Sequence, residues 1–567
     1  MMRSIAITAA LGGILASATP AKAQHATLIL THGKIWTENP QQPEAEAVAI
    51  FGTRILAVGS STEMMKLADT DTRVIDLDGR RVVPGFNDAH VHFIDGCLSL
   101  RAVDGIHTKT PEEFRDRVAA FAHTLPKGEW ISDGSWDHEN WPGARLPTHE
   151  LLDAVTPDNP VALTRLDGHM LLANAKAMQI AGINKDTPDV PGGVIVRDAE
   201  GNPTGIFKDA AENLIESHIP SPSPERLRQA LNDGLRYAAE HGVTSAQEMA
   251  NDARQTLDGN MRVYEEALRE GKLTVRIAQF PGLYTWHNQA ALGIEAGFGG
   301  DVLRLGGLKA FADGSLGSTT AWFFAPYVDS PNTSGIASDT LIHPDEMYAA
   351  MKAADAAHLQ LAIHAIGDRA NHTILDMYER LEKENPQWDR RLRIEHAQHL
   401  TADNIPRFVQ LHVIASMQPY HAIDDGRWAE KRLGPERLKT SYAWRSLLDS
   451  GAVLAFGSDW PVAPMDPLMG IYAATTRRTL DGKNPGGWIP AQKITVAEAV
   501  HAYTMGAAYA EYQENLKGSI EPGKLADFVV LTDDIFHEDP VLIEKTRVEM
   551  TIFGGKVIYD REEPAQN

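Results

Sequence analysis

Apolar and polar positions alternate along this chain in two registers. Eight short stretches, 82–92, 243–249, 275–280, 303–312, 361–365, 392–397, 413–418 and 453–458, have the length and apolar content of buried strands. Between them, 225–241, 261–270, 344–358, 371–383 and 443–450 place apolar side chains near the i, i+3, i+4 intervals of an amphipathic helix. Strands and helices taking turns in this way predict parallel β/α architecture, and eight such strands predict a (β/α)8 TIM barrel. The stretch 93–224 is too long for one βα connection and reads as an inserted subdomain after strand 1, a cover over the barrel mouth. Short β-like pieces at 26–31, 47–51, 54–58 and 72–76 return at 527–531, 549–553 and 556–559. The fold class expected is therefore α/β, with a composite β-sandwich from both termini (24–83 and 515–567), a barrel over 84–514 and the insertion at about 93–224.

Composition narrows the classes of function. With 567 residues the chain is too long for a small binding module, and 43% hydrophobic with 23% charged residues fits neither a disordered chain nor a multi-span membrane protein. Asp and Glu (76) outnumber Lys and Arg (53), and a surface that negative repels phosphate backbones, so nucleic acid is not an expected partner. The one cysteine, Cys97, excludes an internal disulfide and a Cys-rich metal site and is expected as a buried structural thiol. At the N-terminus, Arg3, the apolar run 5–15, Pro20 and Ala21-Lys22-Ala23 form an export signal, against the alternative of a disordered tail. Cleavage before Gln24 would put the mature chain in the periplasm or outside the cell. The run is too short to span a bilayer and no cysteine follows the cleavage point, so no membrane anchor is expected.

The chemistry concentrates at predicted strand ends. In Pro84-Gly85-Phe86-Asn87-Asp88-Ala89-His90-Val91-His92, His90 and His92 lie two apart on a strand and so project to the same side. Two imidazoles aimed at one point can hold a divalent ion, although an isolated His-x-His is usually incidental. His364 closes the fifth strand, His396 the sixth and Asp459 the eighth. His364 and His396, each taken alone, are better read as core residues with their polar atoms satisfied. In a barrel, however, strand C-terminal ends converge on one face, which would bring all five together. No Gly-x-Ser-x-Gly elbow or phosphate-binding loop competes with this reading.

With these stretches, Lys309-Ala310-Phe311-Ala312-Asp313-Gly314-Ser315, Gly367-Asp368, Glu395-His396, Gly457-Ser458-Asp459 and the C-terminal run Gly518 to Asp527, the chain resembles the metal-dependent amidohydrolase superfamily, in its amidohydrolase-3 or YtcJ-like branch. The resemblance implies His90, His92, His364 and His396 as metal ligands, and Asp459 as both ligand and proton-transfer group. It also implies Lys309 as a carboxylated lysine bridging two ions, because a carbamate is an anionic oxygen donor and a bare ammonium is not a ligand. The cofactor implied is a divalent metal, zinc in the first instance, with one or two ions per chain.

On the same resemblance the chain is a metal-dependent hydrolase of non-peptide carbon–nitrogen bonds, in amides, N-acyl or N-formyl compounds. A metal-activated hydroxide attacks and Asp459 shuttles the proton. The partner is a small amide-type molecule, and a homo-oligomer stays open. Cyclic amides, lactones or carbamates are the alternative substrates, and a catalytically silent binding protein on the same scaffold is the alternative from another class. Trp130, Trp136, Trp141 and Arg165 in the insertion suggest a pocket for a partly apolar substrate, with packing of the insertion an equally good explanation of the tryptophans. His169, Trp136 and Asp313 are the candidate substrate contacts.

Overall fold

The computed structural model describes residues 25–132 and 134–562; the export signal and the cleavage point at Gln24 lie outside them. Its centre is an α/β arrangement of parallel strands separated by helices. Phe86–Val91, Val243–Met249, Arg276–Phe280 and Leu303–Leu305 form one four-stranded sheet. Leu308–Phe311, Leu361–Ala365, Arg393–His396, Ile414–Met417 and Leu454–Phe456 form a second, of five strands. The two meet at both edges. At one, Lys309 N–H donates to Pro281 O (2.8 Å); at the other, Asp459 N–H donates to His90 O (2.7 Å) and His92 N–H to Trp460 O (2.8 Å).

These strands register as two open sheets, with no single closed sheet. Two of the expected strands are each cut in two by glycine. The stretch 82–92 splits at Gly85 into Arg81–Pro84 and Phe86–Val91, which belong to different sheets. The stretch 303–312 splits at Gly306 and Gly307 into strands of the two central sheets. A Cβ on Gly85 would sit 2.2 Å from Thr244 Oγ1, one on Gly306 2.2 Å from the Phe280 ring, and one on Gly307 2.7 Å from Gln360 O. Only a residue without a side chain lets the backbone pass so close at these crossings.

The helices follow from local sequence. Pro224–Glu240 starts on Ser223, whose side chain accepts from Arg226 N, with Pro224 in the first turn where its missing N–H costs nothing. It buries Ala230, Leu231, Gly234, Leu235 and Ala238 on one face. Gly234 admits the helix Phe93–Ser99, since a Cβ there would lie 2.0 Å from the buried Cys97 Sγ. Asp258–Arg269, Pro344–Ala356 and Asp368–Glu384 fall within a few residues of the expected helices.

Strands from both chain ends share one six-stranded sheet, in which Arg81–Pro84 pairs antiparallel with Phe528–Leu531 and Val83 stands opposite Val529. A four-stranded sheet of Leu28–Thr31, Ala47–Phe51, Arg54–Gly59 and Arg73–Asp76 packs on it through Leu30, Ile50, Val82, Phe528 and Ile552. The fully buried Arg81 side chain grips Asp534 with two bonds of 2.8 Å. Residues 103–209 contain another six-stranded sheet, from Val103–Gly105 to Pro203–Asp209. Among the described residues no helix is long and apolar enough to cross a membrane.

Candidate metal centre

The five ligand candidates stand at or just past the ends of central strands. His90 lies in Phe86–Val91 with His92 just beyond it, His364 in Leu361–Ala365, His396 at the end of Arg393–His396, and Asp459 three residues after Leu454–Phe456. Two of them, His396 (φ 73°) and Asp459 (φ 64°), hold left-handed backbone conformations. Such conformations cost energy in a residue with a side chain, and they persist where surrounding structure enforces them.

Each histidine commits one ring nitrogen to an oxygen on the outer side. His90 Nδ1 lies 2.6 Å from Glu395 Oε2, His92 Nδ1 3.0 Å from Met249 O, and His396 Nδ1 2.8 Å from Gln418 Oε1. In His364 the roles are reversed: Nε2 faces Gly314 O (3.2 Å) and Asp313 Oδ1 (3.4 Å), leaving Nδ1 free. Carbonyl, carboxylate and amide oxygens only accept, so each committed nitrogen carries the proton and the other keeps its lone pair. Burial supports the neutral ring. It lowers His90 to about 4, assisted by the Lys309 charge, and pushes His364 and His396 down as well.

The uncommitted atoms converge. Asp459 Oδ1 lies 3.3 Å from His92 Nε2 and 3.4 Å from His90 Nε2, and the ligand atoms of His90, His396 and Asp459 all fall within 4.8 Å of one another. The His364 and His396 rings are 4.5 Å apart, and Lys309 Nζ is 3.2 Å from His90 Nε2. Burial would raise Asp459; His90 and His92 hold its carboxyl well below the usual range when those rings are protonated, and with the rings neutral a cation is what would take their place. Its Oδ1 is nevertheless buried without a hydrogen-bond partner. Lone pairs packed against an ionised, unsatisfied oxygen suit a cation, so the residues fit a divalent ion. Burial brings Lys309 down to about 8, toward the neutral amine.

Behind the ligands runs a buried polar chain. Burial would raise Glu395, but the Arg393 guanidinium, 2.7 Å away, and His90 hold it at about 2. Arg393 also donates to Ala89 O, Ser416 Oγ and Gln247 Oε1. Gln247 donates in turn to Ala507 O (2.9 Å), and Asn87 to Glu511 Oε1 (2.7 Å), which Lys517 pairs at 2.7 Å. Glu395 and Gln418 were missed as partners of His90 and His396. The one usable signal was position, since each sits at the end of a strand and the exchange appears only in three dimensions.

Lys309, His92, His169, His364, His396 and Asp459 line one cavity of about 660 Å³. His169 donates to Asp209 (2.9 Å), and this carboxylate outweighs the burial that would lower its pKa and raises it instead. Asp313 reaches the cavity wall, but its oxygens accept from the backbone N–H groups of Trp322, Ile366 and Gly367 at 2.7–3.0 Å. It therefore clamps the loops around His364 from the cavity wall. Trp136 departs from the expected substrate contact: it is fully buried in the insertion, donates Nε1–H to Leu163 O (2.7 Å), stacks on Trp141 and does not line this cavity. Its large apolar ring is used to build the insertion's own core. Phe311, Tyr420 and Trp428 are the aromatic residues that line the cavity.

Residues 73–559 match the Amidohydrolase family profile, amidohydrolase-3. Protein LONG AFTER FAR-RED 3 of Arabidopsis thaliana is 40% identical over 96% of this chain and 94% of its own length. Protein YtcJ of Bacillus subtilis is 32% identical over 93% and 98%, and the N-substituted formamide deformylase of Arthrobacter pascens 28% identical over 94% and 98%. A metal-dependent hydrolase from Pyrococcus horikoshii superposes with a TM-score of 0.73 at 28% identity, covering 90% of this chain and 99% of that one. A profile match over most of the length, joined to a centre where ring nitrogens of His90 and His396 meet Asp459, leads to one assignment: this chain is a hydrolase of the amidohydrolase family, in its YtcJ-like branch.

Proposed function

We propose that this protein hydrolyses a non-peptide carbon–nitrogen bond in a small amide, of the N-acyl or N-formyl kind. The observation that carries the reading is the meeting of the His90, His396 and Asp459 ligand atoms within 4.8 Å of one another, beside a cavity large enough for a small organic molecule. The likeness to a protein named N-substituted formamide deformylase supports the choice of bond. His90, His92, His364, His396 and Asp459 would hold one or two divalent ions, zinc in the first instance, with Lys309 joining them as a carbamate. A bound divalent ion lowers the pKa of water and polarises a carbonyl. Asp459 takes the proton that the attacking water loses and returns it to the leaving nitrogen. His169, held by Asp209, donates to the substrate carbonyl side.

In this reading the two parallel sheets are halves of one (β/α)8 barrel over 84–514, with Leu303–Leu305 and Leu308–Phe311 counting as one interrupted strand and closure through the backbone bonds at the two edges. Residues 24–83 and 515–567 form the composite sandwich, 93–224 the cover, and the first 23 residues export the protein to the periplasm or beyond. The test is to purify the protein, measure bound metal by mass spectrometry and assay N-formyl and N-acyl amides beside lactones, cyclic amides and carbamates. Metal-loaded protein should cleave the open amides; cleavage of lactones alone, or of none of the panel, would overturn the proposal.

A further inference from the structure

His421 has no part in the ligand set. It sits in the helix Pro419–Asp425, directly after the strand Ile414–Met417 and three residues from Gln418, the partner of His396. Its side chain is 11% exposed, it lines the cavity, and its Nε2 is buried with no hydrogen-bond partner. That nitrogen faces Asp459 Oδ2 at 3.8 Å. On the other side of the ring, Nδ1 lies 3.4 Å from Gln398 Nε2. An amide nitrogen only donates, so His421 Nδ1 accepts and the ring proton resides on Nε2, the nitrogen aimed at Asp459.

Asp459 is thereby divided. Its Oδ1 looks toward His90 and His92, while Oδ2 looks toward His421. A buried N–H without an acceptor is costly, and here an ionised carboxylate oxygen stands just beyond hydrogen-bond distance. A small rotation of either side chain joins them. We infer that His421 is a positioning residue for Asp459: its Nε2–H holds Oδ2, so that Oδ1 stays turned to the ligand cluster while the free lone pair of Oδ2 meets the reacting group. The inference rests on the hydrolase reading above, because only a carboxylate with two tasks needs its two oxygens told apart. It does not require His421 to change protonation state. Gln398, buried with Oε1 unpaired, fixes the ring in turn.

The experiment uses the full-length metal-loaded protein with His421→Phe, His421→Asn, Asp459→Asn and the double variant His421→Phe/Asp459→Asn. His421→Phe should lower kcat roughly 10- to 100-fold while KM and metal content hardly move, the range expected for a mispositioned proton-transfer group. His421→Asn, which keeps an N–H donor, should recover part of that loss. On the Asp459→Asn background the His421→Phe change should cost less than about twofold, because residues that act through each other are not additive. A full, additive loss on that background would overturn the inference, as would equal activity of the Phe variant and the parent. A second readout needs no turnover. In ¹⁵N-histidine spectra of the loaded protein, Asp459→Asn should move the His421 Nε2 resonance, and an unmoved resonance would also overturn the inference. If the parent cleaves no amide, the functional reading fails while the spectra still decide the contact.

Discussion

Asp459 combines a strained backbone with an ionised, unsatisfied oxygen, and the two properties make it testable by one substitution. Asparagine tolerates the left-handed conformation better than most residues and keeps an oxygen for the metal, but it cannot accept a proton at neutral pH. Asp459→Asn should fold, retain most of its metal and lose kcat by about 10²- to 10⁴-fold, with a smaller change in KM, as steady-state kinetics beside metal analysis will report. Asp313→Asn should behave differently. Its carboxylate accepts three backbone N–H bonds, and an amide NH₂ turned toward one of them leaves a buried donor unpaired. The expected cost is about 1–3 kcal/mol of stability, read from a denaturation midpoint, and activity falls only as the loops around His364 loosen. Lys309→Ala should release metal and abolish most turnover, and a short carboxylic acid in the buffer should restore part of both. Full metal and activity without this side chain would remove it from the centre. The ligand candidates could be named from the sequence because each stands at the end of an apolar stretch and is of a type, His or Asp, that can bind a metal. Their partners were not: His90 and Glu395 are 305 positions apart, and no local pattern marks such an exchange.

At the scale of elements, the helices were readable to within a few residues, because amphipathic spacing and caps such as Ser223 are local properties. Strands were readable as apolar stretches but not as members of particular sheets. Gly85 and the Gly306–Gly307 pair lie inside runs that look continuous, and only the packing of Thr244, Phe280 and Gln360 against them turns each run into two strands. The insertion's sheet went unread because its strands are short and its tryptophans resemble a binding surface until Leu163 and Trp141 are seen to absorb one of them. The same close-approach argument predicts a compensating pair. Gly234→Ala should cost about 1–3 kcal/mol by driving a methyl group into Cys97, and Cys97→Ala on that background should recover much of it. Chemical denaturation of the two single variants and the double variant measures the coupling, and strictly additive losses would refute the contact.

For the whole molecule, the sheet that unites both ends ties the last segment to the first. Removing everything from Phe528 onward would leave Arg81, whose side chain is fully buried, without Asp534, and would leave the strand Arg81–Pro84 with an open edge. Arg81 would keep only Glu44, 3.1 Å away, as a carboxylate partner, and the strand contacts of Phe528–Leu531 would be lost as well. Such a truncation should therefore accumulate as aggregate and bind no metal, and recovery of a soluble, metal-loaded fragment would show that the centre stands without its C-terminal support. Export makes a separate prediction: native material should begin at Gln24 and be found outside the cytoplasm, and N-terminal sequencing that finds Met1 intact would reject it. The shared sheet also imposes an order of events on a chain made from one end. Arg81–Pro84 is synthesised early but has no antiparallel neighbour until Leu531 has left the ribosome, so the terminal sheet cannot lock before that point. Until that moment the nascent polypeptide is kept from its final knit, which is the loose condition a chain needs if it is to be threaded through a narrow membrane pore before it folds.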